Sequence, residues 1–192
     1  MTVNVREYEA PDVNKREIHR YAGERAATNA LSALIDECLA EILPRLVYKV
    51  AFCETEVKIS GQTVDLGFGK IESRALTKNL SGCTRAIVFA ATVGLAPDRL
   101  VARNLVVSPT KALVFDAIGS ERIEELCDVF CADAAKGRNL RPRFSAGYGD
   151  FSIDAQKDIF RLLDCPKNIG LSLTENLLMT PTKSVTAIVG IF

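Results

Sequence analysis

The sequence predicts an α+β fold: a mainly antiparallel twisted sheet with flanking helices. Two observations carry this. Stretches with helical spacing and stretches with two-residue alternation follow one another without a regular βαβ order. The strand-like stretches also include a hairpin pattern, which favours antiparallel pairing. At 192 residues, 48% hydrophobic and 25% charged, the chain is long and apolar enough for one ordinary globular core. One domain is expected over 1–192. Its N-terminal part, 1–44, reads as helical, and 45–192 reads as mixed sheet and helices with a ligand loop at 138–150.

Asn14 followed by Glu17 resembles a capping box and opens a short helix through Ile18 and Tyr21 to Gly23. Leu31, Leu34, Ile35, Cys38, Leu39 and Ile42 recur at three- and four-residue spacing, and Pro44 stops that helix. The period then changes to two. Residues 46–53 read as a strand, and Val57, Ile59, Val64, Leu66 and Phe68 alternate around a turn at Gly61-Gln62, as in a hairpin. Ser73 caps a short helix ending near Gly82. Residues 85–93 are apolar and β-prone, as a buried strand would be. Pro97 and Asp98 begin another helix. Ser108-Pro109 is an N-cap and first-turn pair for a long helix, with Gly119 a point of kinking or breakage and Gly137 its end. Residues 138–150 are basic and punctuated by Gly and Pro, hence a loop. A helix follows over about 153–163, then a turn with short elements over 168–181, and a final strand over 183–191.

Composition narrows the function. Twenty-four basic and 24 acidic side chains balance to zero, which argues against a nucleic-acid partner. The N-terminal ten residues lack an apolar core for a secretory signal. The longest near-continuous apolar run, 86–96, is 11 residues, and a membrane span needs about 20. A cytoplasmic location without membrane contact is therefore expected. The six cysteines include no CxxC pair, and they read as reduced, buried side chains rather than zinc ligands.

The chain carries no complete common catalytic motif. The single histidine, His19, sits in Glu17-Ile-His19-Arg-Tyr-Ala-Gly23, which departs from the Asp-x-His-x-x-Gly cobalt-ligating pattern in its acid and in the place of its glycine. Gly67-Phe-Gly69 lacks the third glycine of a dinucleotide fingerprint. Ser145 lacks the first glycine of a nucleophile elbow. The 141–150 segment is the informative one. It offers guanidinium groups, freed backbone amides and Tyr148, which together suit a ligand bearing a carboxylate and a ring. The other reading is a surface turn with Arg143 in a salt bridge.

At this segment a resemblance becomes specific. Arg143-Phe-Ser145-Ala146-Gly147-Tyr148 resembles the Arg-x-x-x-Gly-Tyr motif of the activation (reactivation) domain of cobalamin-dependent methionine synthase. Gln156-Lys157, Leu162-Leu163, Gly170 to Asn176, Met179, Pro181 and Ser184-Val185 are similar to the family's downstream run. Val93-Gly94 and the stretch from Phe115 to Ser120 also fit. Gly147-Tyr148-Gly149-Asp150 resembles compact forms that occur as separate chains.

The resemblance implies an activation-domain-like fold and a stand-alone activation subunit. It implies that the chain binds S-adenosylmethionine and supports reductive methylation of cob(II)alamin. The cobalamin would be carried by a partner methionine synthase chain, and the electron would come from a flavodoxin-like or ferredoxin-like donor. The chain would be an accessory component rather than an independent catalyst, with no catalytic residue and no metal of its own. The implied ligand site is Arg143 for the carboxylate, the backbone of Ser145, Ala146, Gly147 and Tyr148 for adenine and positioning, and Glu125 for the ammonium. Glu125 also reads as a solvated helix carboxylate. The family's tyrosine after Ser-Val is replaced here within Thr186 to Val189, and its acid before the motif arginine falls near Gly137. These departures keep open an alternative, a non-catalytic docking module for a corrinoid protein that has lost S-adenosylmethionine binding. An unrelated methyltransferase ranks lower for want of a Gly-rich strand-to-helix turn, and a radical enzyme is excluded because the cysteines do not cluster.

Overall fold

The computed structural model describes residues 1–23 and 28–192. In chain order the strands are β1 (Asn4–Glu7), β2 (Lys49–Glu56), β3 (Lys58–Ser60), β4 (Thr63–Asp65), β5 (Lys70–Glu72), β6 (Arg85–Thr92), β7 (Ser172–Leu173), β8 (Met179–Thr180) and β9 (Ser184–Ile191). The helices are α1 (Lys15–Tyr21), α2 (Asn29–Ile42), α3 (Arg74–Asn79), α4 (Ala96–Asn104), α5 (Pro109–Ala135), α6 (Ala155–Leu163) and α7 (Cys165–Ile169). Pro44 lies in a single 3-10 turn, Leu43–Arg45, after α2. The predicted α+β architecture is present: an antiparallel four-stranded sheet in the order β1-β2-β6-β9, a three-stranded sheet β3-β4-β5 and a two-stranded β7-β8. No described helix is long and apolar enough to cross a membrane.

The central strand explains its own composition. On β6, Ala86, Val88 and Ala90 pack toward α6 and the β3-β4 hairpin, while Ile87, Phe89 and Ala91 pack toward α5. Both faces are covered, so the strand is apolar throughout instead of alternating. The long helix α5 likewise serves two cores. Val114, Phe115, Ala117 and Ile118 pack against α1, α2 and α4, while Ile123, Leu126, Cys127 and Phe130 pack on the sheet. Phe130 meets Phe52 and Phe89 at ring-centroid distances of 5.1 and 4.8 Å.

Two local expectations change. Gly119 neither breaks nor ends α5, which runs unbroken for 27 residues. A Cβ there would lie 2.8 Å from Lys183 Cγ and 3.0 Å from Pro97 Cβ, so the glycine permits a close helix crossing. The 1–44 stretch is not only helical, because β1 pairs with β2. The buried Arg122 guanidinium fastens the segment between β1 and α1 by donating to the carbonyls of Pro11 and Asp12, each at 2.6 Å. Its neighbour Glu121 accepts from the Asn14 amide at 2.8 Å. Asn14 caps α1 as predicted, its side chain accepting from the Glu17 amide.

Candidate functional site

The 138–150 loop is laid along the free edge of β9. Arg141 N donates to Gly190 O at 2.8 Å, and Phe144 and Ile188 exchange two backbone hydrogen bonds of 2.9 Å each. The basic segment is therefore pinned to the sheet before it turns. The turn closes on itself: Tyr148 N donates to Ser145 O, Gly147 N to Phe151 O and Phe151 N to Tyr148 O, at 3.1, 2.7 and 3.0 Å. Gly147 has φ 96°, a conformation that disfavours any side chain.

Asp150 anchors the far end. Its carboxylate accepts from Ser73 Oγ at 2.6 Å and from the amides of Arg74 and Ala75 at 2.9 and 3.0 Å. These donors sit at the start of α3, where backbone amides and the helix dipole favour an anion. The Ser73 hydroxyl and the two amides hold the Asp150 carboxyl down to about 2.

Between this loop and its neighbours lies a cleft of about 470 Å³, within the usual range for small-molecule sites. The loop contributes Pro142, Arg143, Ser145, Ala146 and Tyr148; α5 contributes Glu124; α6 contributes Gln156; β8 contributes Met179; and β9 contributes Ser184, Val185 and Thr186. Four of the six predicted site residues thus share one cleft. Gly147 shapes the turn without lining it. Glu125 also lies outside the lining: its surroundings include Glu121, Arg122 and Asn14, and burial raises its carboxyl above the ordinary value. Glu124, one position earlier, faces the cleft instead.

Arg143 is already engaged. Its Nη2 donates to Glu124 Oε2 at 2.7 Å and its Nη1 to Asp128 Oδ1 at 2.6 Å. Glu124 and Asp128 are four apart on α5 and so share a face. One guanidinium between two carboxylates leaves a local charge of minus one, which suits a cationic ligand. Tyr148 is 57% exposed, with its ring edge-on to Phe144 at 5.8 Å.

Gln156 and Thr186 were not predicted as site residues. They are only 5% and 2% exposed, yet Gln156 Oε1 and Thr186 Oγ1 have no hydrogen-bond partner among the described residues. An unpaired buried polar atom costs about 1–3 kcal/mol. The signal for Gln156 was present in the sequence: it occupies the core-facing stripe of α6 with Ile159, Phe160 and Leu163, where an apolar side chain is the norm. A larger groove of about 790 Å³ lies by Glu54, Thr84 and Arg85, but none of its lining residues carries such an unpaired buried atom.

All six cysteines are free, and burial raises the thiols of Cys38 and Cys53 to about 11 and that of Cys165 to about 12. Among the described residues no three His, Cys, Asp or Glu side chains are grouped to hold a metal ion. His19 contacts Ser32 at 3.2 Å and does not line the cleft.

Residues 134–191 match the family model described as vitamin B12 dependent methionine synthase, activation domain. The crystal structure of a MetH reactivation domain bound to AdoHcy superposes with a TM-score of 0.73 at 14% identity, over 99% of this chain and 78% of that one. The fold is that of a methionine synthase reactivation domain. No curated protein matches the chain. The matched stretch starts in the last turn of α5 and ends in β9, so it contains every residue lining the cleft except Glu124. The structural likeness covers nearly the whole chain, whereas the family-model match falls on most of the elements that build this cleft.

Proposed function

We propose that the chain is a stand-alone activation subunit that binds S-adenosylmethionine in the Arg143 cleft and acts on a partner cobalamin-dependent methionine synthase in the cytoplasm. The observation that carries this reading is the coincidence of the family match with the cleft. S-adenosylmethionine supplies a methyl group and a flavodoxin-like or ferredoxin-like donor supplies an electron, which together return the partner's oxidised cobalamin to its methyl form. This chain's own residues bind and orient.

The lining residues fit that ligand. The fork of Arg143 matches a carboxylate, but its present bonds to Glu124 and Asp128 must give way for a bidentate contact. The exchange has a natural second half: Glu124, once released, accepts the ligand's ammonium. Glu124 thus takes the role that the resemblance gave to Glu125. The sulfonium leaves the ligand with one net positive charge, complementary to the Arg143, Glu124 and Asp128 group. The Gly147 turn and the Asp150 anchor hold the loop in place beforehand, which lowers the ordering cost of binding.

The test is recovery of an oxidised synthase. With S-adenosylmethionine, reductant and this chain, the cobalamin spectrum is expected to return to the methyl form, and without the chain it is not. No recovery, together with no heat of S-adenosylmethionine binding alone or with the partner, overturns the reading. The saturated Arg143 favours a second reading, a docking module that has lost ligand binding. Partner capture that is insensitive to S-adenosylmethionine supports that alternative.

A further inference from the structure

We propose that Gln156 and Thr186 recognise the base edge of the ligand and make the cleft selective for a 6-aminopurine. This rests on the S-adenosylmethionine reading and deepens it. The cleft's polar lining divides by charge. Arg143 and Glu124 supply ionic groups, which suit the amino-acid part of the ligand. Gln156 and Thr186 supply neutral groups that are more than nine-tenths buried, a setting that suits an uncharged heterocycle and would penalise a carboxylate or ammonium.

Both side chains arrive from rigid elements. Gln156 stands on the core-facing side of α6, and Thr186 stands on β9 opposite Ala90 of β6. Their unpartnered atoms, Gln156 Oε1 and Thr186 Oγ1, belong to residues that line the same cleft as Arg143. A carboxamide presents an acceptor and a donor side by side, the pattern that pairs with the amino group and adjacent ring nitrogen of adenine. The Thr186 hydroxyl can donate to a further ring nitrogen. Ser184, two residues earlier on β9, is spent: its hydroxyl donates to Pro181 O and accepts from the Thr92 hydroxyl. Of the hydroxyls that β9 brings to the cleft, the one on Thr186 is thus available to a ligand.

The experiment compares S-adenosylhomocysteine with its deaminated analogue, S-inosylhomocysteine, by calorimetric titration of the wild type, Gln156→Leu and Thr186→Val. The wild type is expected to prefer the 6-amino ligand by about tenfold or more, because a site built for a donor rejects the analogue lacking it. Gln156→Leu is expected to bind the two within about threefold, and Thr186→Val to lose a smaller part of the preference. Both variants should melt at or above the wild-type temperature, since each removes an unpaired buried group. If Gln156→Leu fails to fold, the wild-type preference and Thr186→Val decide. A wild type that binds both ligands equally, or a Gln156→Leu variant that keeps the preference, overturns base recognition alone. A wild type that binds neither overturns the S-adenosyl reading with it.

Discussion

Arg143→Lys separates binding from folding. Arg143 makes two charge-assisted bonds, to Glu124 at 2.7 Å and Asp128 at 2.6 Å, with side-chain exposures of 25%, 46% and 67%. Pairs this exposed contribute about 0.5 kcal/mol each after screening. Lysine keeps the charge between the two carboxylates, so the stability loss should be at most about 1 kcal/mol. For a chain of this size that is a fall of about 2–4 °C in melting temperature. The ligand should respond more strongly. A lysine cannot clamp a carboxylate bidentately, and losing that clamp costs about 1.5–3 kcal/mol, or roughly 10- to 150-fold in affinity. Titration calorimetry with S-adenosylmethionine, paired with thermal unfolding, reads both quantities. Affinity within about twofold of the wild type would refute the carboxylate role of Arg143. A melting temperature lower by more than about 10 °C would show that the Arg143 group is chiefly structural.

Glu124→Gln should weaken S-adenosylmethionine and S-adenosylhomocysteine alike, by about fivefold or more, because both carry the ammonium that Glu124 accepts; unchanged affinity for both would refute that role. Asp150 gives a pH signature. Its folded-state carboxyl is depressed to about 2, so its contribution to stability is complete above the unfolded value near 4 and is lost as pH falls through about 2. Between those values the amides of Arg74 and Ala75 should lose hydrogen-exchange protection, and Asp150→Asn should abolish that pH dependence. Gly119→Ala should destabilise the fold by about 1 kcal/mol. The helix-propensity gain of about 1 kcal/mol is outweighed by contacts at 2.8 and 3.0 Å with Lys183 and Pro97. An unchanged or raised melting temperature would show that α4 and α5 separate freely.

Local signals were legible in the sequence and long-range ones were not. The Asn14 and Ser73 caps, the α2 stripe and β9 follow from spacing within a few residues. Strand β1 escaped because Asn4–Glu7 is a polar edge whose order comes from pairing with β2, some 45 residues away. Gly119 looked like a breaker because its reason lies in Lys183 and Pro97, on other elements. The cleft divides the same way. The Arg143 to Tyr148 motif pointed to the right loop, but Glu124 and Glu125 are adjacent in sequence and face different surroundings, a distinction set by how α5 packs. The pairing of Arg143 with Glu124 and Asp128 was hidden for the same reason, since those carboxylates stand on α5 and Arg143 on the loop after it. Gln156 and Thr186 come to one cleft only when α6 packs on the sheet, so their unpaired atoms become visible in three dimensions alone.

The most direct measurement is a crystal structure of the chain grown with S-adenosylmethionine. The account predicts ligand density in the cleft between the 138–150 loop, α5, α6 and β9, with the ligand's carboxylate on Arg143 and Glu124 turned to its ammonium. Density elsewhere, such as the groove by Glu54 and Arg85, or an empty cleft with the Arg143 to Glu124 bond intact at saturating ligand, would contradict it.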